Sequence, residues 1–404
     1  MSASVEPMIY PKIENPPSFG RKELPSNFIK LGWILTLVGL ALVVISYLTD
    51  AHRAVFNNLI GFTFLISIST GAIFYIALEY IVGAVWSTPF RRVTEFLGML
   101  LIPAVALAIP LFFNLHDLFH WTHADVVAKD PILQSKAPYL NEQFFTIRFI
   151  VFIVIVGVFY FIFRNNSLKQ DVDRDQKRTR KNIGLAAAFI PLFAIIISVF
   201  SFDWLMSLEP HWFSTMFGVY YFTGTILTAL AVMTYIVVTL SEKGFFFKGV
   251  NGNHYYSFGA LMFALLSFWA YIAFSQFMLI WYANLPEEIF WFIERWQNGW
   301  EYVSVAIVMI HFWIPYFLLV SRPSKMNPVK LKIGAALLIF AHFLDLYWLV
   351  MPTYSASPVF SYQEIAFPIL CIGLIIVTFA WQAKKHNLVP IGDPKLQRGI
   401  DFHL

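Results

Sequence analysis

Charge is scarce in this chain, and cysteine scarcer. Only 13% of the 404 residues are charged, against 58% that are hydrophobic, a balance far from that of a soluble globular domain. A solvated enzyme or binding module is thereby excluded, and the chain reads as an integral membrane protein. The single cysteine, Cys371, lies inside an apolar run. Intrachain disulfides, thiolate-held clusters and C-x-x-C-H haem attachment are excluded with it, so any redox centre must be held by histidine or by a partner chain. The opening 28 residues lack the basic start, short apolar stretch and small-residue cleavage site of a secretory signal. They are expected to stay as a cytosolic tail.

Long apolar runs are what the sequence has in quantity. A helix needs about 20 mostly apolar residues to cross roughly 30 Å of hydrocarbon. Ten such runs are read, at 29–49, 55–86, 94–115, 142–163, 183–206, 212–240, 258–282, 300–320, 333–351 and 362–383. The second and sixth exceed the bilayer and are expected to tilt or protrude. An even number of spans puts both termini on one side. That side carries 23 Lys and Arg, against Arg53, Lys129, Lys136 and Arg295 on the other and Arg148 inside a span. The positive-inside rule makes the terminal side cytoplasmic, so the formal charge of +4 reports topology, and nucleic acid is not called for as a partner. The loop 164–182 is expected to be a solvated cytoplasmic surface. The long opposite loops, 116–141 and 283–299, are where a peripheral partner would dock.

A faint internal repeat is present. Both "KNIGLAAAF…FDWLMSLEP" and "LKIGAALLIF…LDLYWLVMP" carry Ile-Gly near one end and an Asp seven residues before a Pro at the other. A shift of four helices relates spans 2–5 to spans 6–9. The expected organisation is an N-terminal tail (1–28), a peripheral span (29–49), a first four-helix bundle (55–206), a second (212–351), another peripheral span (362–383) and a C-terminal tail (384–404).

At 1.5 Å rise per residue, His342 lies about 13 Å and Asp345 about 18 Å into span nine, and His311 about 16 Å into span eight. His342 and Asp345, at i and i+3, share a face. Charged side chains at that depth cost about 2.5–3.5 kcal/mol on insertion scales, so they should face the bundle interior and have partners. Three readings stand: a proton relay, structural hydrogen bonding between helices, or an axial haem pair from the two histidines. Glu79, two turns from the rim of span two, resists a snorkelling explanation. Glu95 and Arg148 accept one, although Arg148 could instead pair with Asp117 or Asp203.

His116, His120 and His123 stand at i, i+4 and i+7 with Asp117 beside them. The spacing suits zinc, but a rim position next to Trp121 favours interfacial residues, with contact to a quinone head or partner subunit as the other option; no metal site is assigned. In "SFDWLMSLEPHWFSTMFG" (201–218), Trp204 and Trp212 read as interface anchors and Glu209-Pro210 as the turn between spans five and six. Asp203, near the far edge of the hydrocarbon, is the candidate there for proton exit, with Asp345 as its repeat counterpart.

The segment "SFDWLMSLEPHWFSTMFGVYYFTG", with ten spans and cytoplasmic ends, resembles the F subunit of alternative complex III, a bacterial quinol:cytochrome c oxidoreductase, among the NrfD-like, polysulfide-reductase-type membrane subunits. The resemblance covers about residues 28–384. It implies two four-helix bundles, location in the bacterial inner membrane, a companion NrfD-like membrane subunit, and iron–sulfur and multihaem cytochrome c subunits on the periplasmic face. It implies quinol as reductant, with haem c and iron–sulfur clusters in the complex and no cofactor bound by this chain. The expected role is a scaffold with a proton route through Glu79, His311, His342, Asp345 and Asp203. Two other classes stay open: a quinol-binding catalytic subunit with His116, Asp117 and Asp203 around the head group, and an independent secondary transporter.

Overall fold

Apolar runs of this length have one way to satisfy their backbone within hydrocarbon, the helix. The computed structural model describes residues 24–247 and 249–404, and among these there is no strand. Most of the expected tail 1–28 lies outside the described residues. Ten helices are long and apolar enough to cross a membrane: α1 (Ser26–Thr49), α2 (Ala51–Val82), α3 (Thr88–Phe112), α4 (Glu142–Asp173), α5 (Gln176–Leu208), α6 (Met216–Glu242), α7 (Gly252–Ala283), α8 (Trp300–Leu319), α9 (Pro328–Tyr354) and α10 (Tyr362–Lys385). The chain is a multi-pass membrane protein by this criterion.

α2 and α6 occupy the centre. Every residue in the apolar window of α2 is buried, and α6 is nearly as enclosed. α2 packs on α3, α5, α6, α9 and α10, α6 also packs on α5, α7 and α9, and α1 lies chiefly along α10. Missing side chains permit the closest approaches. A Cβ on Gly71 of α2 would lie 2.6 Å from that of Ala229 on α6, and one on Gly39 of α1 would lie 2.5 Å from the backbone nitrogen of Leu370 on α10.

Enclosure explains how α2 carries so many polar residues. Its Asn58 Nδ2 donates to Leu107 O at 3.1 Å, Asn57 Nδ2 to Glu364 Oε1 at 2.9 Å, and Ser69 Oγ to Gly98 O at 2.9 Å. The last bond falls where α3 is interrupted at Met99–Leu100. Pro103 has no N–H for the Met99 carbonyl four residues back, so the helix cannot run through regularly.

Three expectations need correction. The loop 164–182 is largely helical: α4 and α5 continue into it and turn at Arg174, left-handed with φ 52°, and Asp175. Asn166 Nδ2 donates to Asn182 Oδ1 and Gln170 Nε2 to Thr179 Oγ1, both at 2.7 Å, and these bonds hold the helix ends together. The C-terminal segment is no free tail. It crosses from the end of α10 to the start of α7, burying Val389, Asp393 and Leu396, and His254 Nε2 lies 2.8 Å from Gly399 O. Trp204 and Trp212 are core residues, each 1% exposed. Trp204 packs among Phe62, Phe145 and Phe200, and Trp212 stacks on Trp291 at 4.4 Å while its indole N–H donates to Glu288 O. Aromatic partners from neighbouring elements outcompete the interface for both rings.

Candidate functional site

The deepest polar groups gather around α6. On α9, His342 and Asp345 project from one face and are 1% and 2% exposed. Tyr220 on α6 donates its hydroxyl hydrogen to Asp345 Oδ1, and no cation lies within ion-pair distance of that carboxyl among the described residues.

His342 Nε2 lies 3.0 Å from Ser67 Oγ of α2. Ser67 Oγ also lies 2.9 Å from Thr63 O and 3.0 Å from the Tyr221 hydroxyl. His342 Nδ1 has no hydrogen-bond partner among the described residues. Its ring rests on Gly224 of α6, where a Cβ would come within 2.9 Å of Cε1 and 3.0 Å of Nδ1. The side chain at 224 must be absent for the imidazole to occupy this position.

His311 arrives from α8 by a different device. Residues Val308–Trp313 form a π turn, the kind of insertion frequent at functional positions. Pro315 is the local cause: it offers no N–H to the His311 carbonyl four residues earlier and its ring crowds that oxygen. The wider turn coincides with His311 lying over Trp269 of α7, with ring centroids 3.8 Å apart. His311 is fully buried, and neither ring nitrogen has a hydrogen-bond partner among the described residues. Trp269 in turn lies 5.8 Å from the Tyr220 ring, so His311, Trp269, Tyr220 and Asp345 form a continuous contact series. His342 shares its α9 face with Asp345, and the π turn that carries His311 packs against α9. Buried polar atoms without protein partners are uncommon in native folds and commonly mark water or ligand positions.

The other candidates sit elsewhere. Asp203 is bound at both oxygens by Arg148, each contact 2.8 Å, and Arg148 also stacks on Tyr139. None of these contacts links Asp203 to Asp345. A groove of about 270 Å³ opens beside this ion pair, walled by Phe144, Ile147, Val151 and Phe200. Glu79 is 5% exposed and held by Arg91 at 2.6 Å and by Thr88 Oγ1 at 3.1 Å, a locked ion pair at the end of the fold carrying both described termini. Glu95, expected to snorkel, is instead paired with Arg92, and Arg148 takes the Asp203 pairing that was its other reading.

His116 and Asp117 are exposed. The three histidines do not share one helix, because the chain turns at Phe119 between Leu115–Leu118 and a 3₁₀ turn at His120–Thr122. His116 and His123 meet with rings 5.2 Å apart, without His120. Among the described residues no group of three or more His, Cys, Asp or Glu could hold a metal ion.

Sequence reading missed Tyr220, Trp269, Ser67 and Arg295. Arg295, counted only as a loop cation, is fully buried over the Trp291 ring at 3.6 Å and donates to Trp291 O and Leu349 O at 2.9 and 3.2 Å. Burial pushes its guanidinium below the usual range, while Glu209 and Glu294 pull the other way; it stays a cation at neutral pH. The spacing His311-x-x-x-Pro315 was the one readable signal for the π turn.

Compared with protein-family models and with curated proteins, the sequence matches none.

Proposed function

We propose that the chain is an integral membrane subunit of a respiratory quinol:cytochrome c oxidoreductase of the alternative complex III type, binding no redox cofactor itself and handling protons within the membrane. In this reading spans 2–5 and 6–9 form two four-helix bundles flanked by spans 1 and 10. Both termini are cytoplasmic, the membrane is the bacterial inner membrane, and lipid surrounds the outer faces. A companion NrfD-like membrane subunit and periplasmic iron–sulfur and multihaem cytochrome c subunits carry electrons from quinol. The packing of α2 on α3 and α5, of α6 on α7 and α9, and of α1 along α10 supports the grouping, and the excess of Lys and Arg on the terminal side supports the orientation.

One observation carries the proton-handling role: Asp345, His342 and His311 are buried near one another with unpartnered ring nitrogens and no cation on the carboxyl. Groups held this way can change protonation without breaking an ion pair, and the Tyr220 hydroxyl gives Asp345 a neighbour that both donates and accepts. Replacement of Asp345 by Asn or of His342 by Leu in the reconstituted complex should lower quinol-dependent proton release while assembly persists. Unchanged proton stoichiometry leaves only a structural role. Co-purification with a multihaem cytochrome tests membership of the complex, and its absence from the native membrane preparation removes that part of the reading.

A second reading, a quinol-binding subunit, is favoured by the groove between α4 and α5 that ends at Arg148 and Asp203. A photoreactive quinone that labels this groove supports it; labelling confined to the companion subunit removes it.

A further inference from the structure

The groove between α4 and α5 has a floor and a rim of different character. α4 and α5 are tied at one end by the Asn166–Asn182 and Gln170–Thr179 hydrogen bonds and at the other by the Arg148–Asp203 ion pair. The groove, of about 270 Å³, lies beside the second tie. Its floor is aromatic and fixed by ring contacts: Phe152 stacks on Phe200 at 4.7 Å, Phe149 meets Trp204 at 5.4 Å, and all four rings are buried. Its rim is open, with Phe144, Ile147 and Val151 between 40% and 48% exposed. Exposed apolar side chains on a spanning helix face hydrocarbon. Whatever fills the groove therefore enters sideways, from the bilayer.

The polar end offers a head group almost nothing. Arg148 Nε and Nη2 donate to the two Asp203 oxygens and Nη1 donates to Tyr139 O, each at 2.8 Å. The guanidinium also lies over the Tyr139 and Phe144 rings, at 3.9 and 4.4 Å. Each guanidinium nitrogen and each carboxylate oxygen thus has a protein partner already. A phosphate or a quinol hydroxyl would have to disturb a nearly buried ion pair to bind them, and breaking such a pair costs more than one hydrogen bond returns. A hydrocarbon chain needs no partner.

The length fits a lipid chain as well. The lining runs from Phe144 to Phe152 on α4 and from Ile196 to Trp204 on α5, and eight steps of helical rise span about 12 Å. One leaflet supplies half of the roughly 30 Å of hydrocarbon. Phe144 and Trp204 stand near the span ends away from both described termini, so the groove runs inward from that rim and stops short of the midplane. This is the depth occupied by the acyl chains of a single leaflet.

We propose that the groove between α4 and α5 binds one acyl chain of a membrane phospholipid, from the leaflet on the side away from both described termini, and recognises the chain without its head group. The site does not depend on the complex to which the protein belongs, and it competes with the quinol reading only for this groove.

The full chain reconstituted in phospholipid vesicles provides the test, with a phosphatidylethanolamine that carries a diazirine midway along one acyl chain as the probe. After illumination, peptides covering 147–152 and 196–200 should carry several-fold more label than the α7 peptide with Tyr271, Phe274 and Met278, whose side chains are more exposed than the groove rim. Val199→Trp sets an indole across the groove and should bring the label on the facing α4 peptide down to the α7 level. Should that variant fail to fold, Val151→Trp on the open rim blocks the groove from the other side, read on the α5 peptide. Labelling no greater than that of α7 shows passing contact with bulk lipid and overturns the site, as does an excess that the tryptophan variant leaves intact. A quinone with the same diazirine on its isoprenoid tail should label the groove no more than α7; if it labels in preference to the phospholipid, the site is overturned in favour of the quinol reading.

Discussion

Asp203 and Asp345 occupy matching places in the two halves of the sequence, each seven residues before a proline, yet their surroundings are opposite. Asp203 has a guanidinium across both oxygens, with Arg148 further fixed by Tyr139 O at 2.8 Å and two aromatic rings. Asp345 has a tyrosine hydroxyl and an indole-backed histidine nearby. An ion pair of the first kind is committed to one charge state, and breaking it leaves an uncompensated buried charge. A carboxyl of the second kind has neutral neighbours and can change charge without breaking an ion pair. One aspartate therefore holds helices together, and the other is equipped to exchange.

The largest expected effect breaks the first member. Arg148→Leu should cost about 3–5 kcal/mol, since Asp203 stays behind without its cation, and thermal unfolding in detergent measures it. Asp345→Asn should leave that midpoint nearly in place while slowing quinol-linked proton release by about 100-fold, the low end of what a positioned acid–base group contributes. A loss of stability equal to that of Arg148→Leu would erase the contrast.

Gly224→Ala sharpens it from the packing side. The added methyl meets the His342 ring and should cost about 1–3 kcal/mol, together with the Ser67 contact, while Gly218→Ala, whose Cβ would meet the Ser198 side chain near Asp203, should leave proton release unchanged. Tyr220→Phe removes the one hydroxyl donated to Asp345 among the described residues and should cost about 1–2 kcal/mol. The smallest effect belongs to the exposed pair of Asp130 and His211, 2.5 Å apart. The His211 hydrogen bond holds the Asp130 carboxyl below its usual range, so any contribution exists at neutral pH and fades only as acid protonates it. Asp130→Asn should lower the midpoint at neutral pH only slightly, and that difference from the wild type should vanish in acid.

The ten spans were legible because hydrocarbon thickness sets helix length directly. Burial of His311, His342 and Asp345 was legible from depth and cost. Their partners were not, because pairing depends on which helices touch: Ser67 and His342 are 275 residues apart, and Tyr220 is one of 18 tyrosines, with no local pattern to single it out. Trp204 and Trp212 misled for a related reason. A tryptophan beside charged residues has the composition of a membrane rim whether or not the fold later encloses it. The C-terminal segment misled because a short polar run after the last span reads as a tail, whereas Arg91 gives its Asp393 a buried counterpart.

The complete enclosure of α2 bears on how the chain is made. This helix is made before α3, α5, α6, α9 and α10, which pack around it. Its asparagines, serines and threonines would meet lipid if it were released at once, with no neighbour to receive their hydrogen bonds. Its enclosure is therefore complete only once α9 and α10 have joined it, so the interior closes after the helix that forms its centre is made.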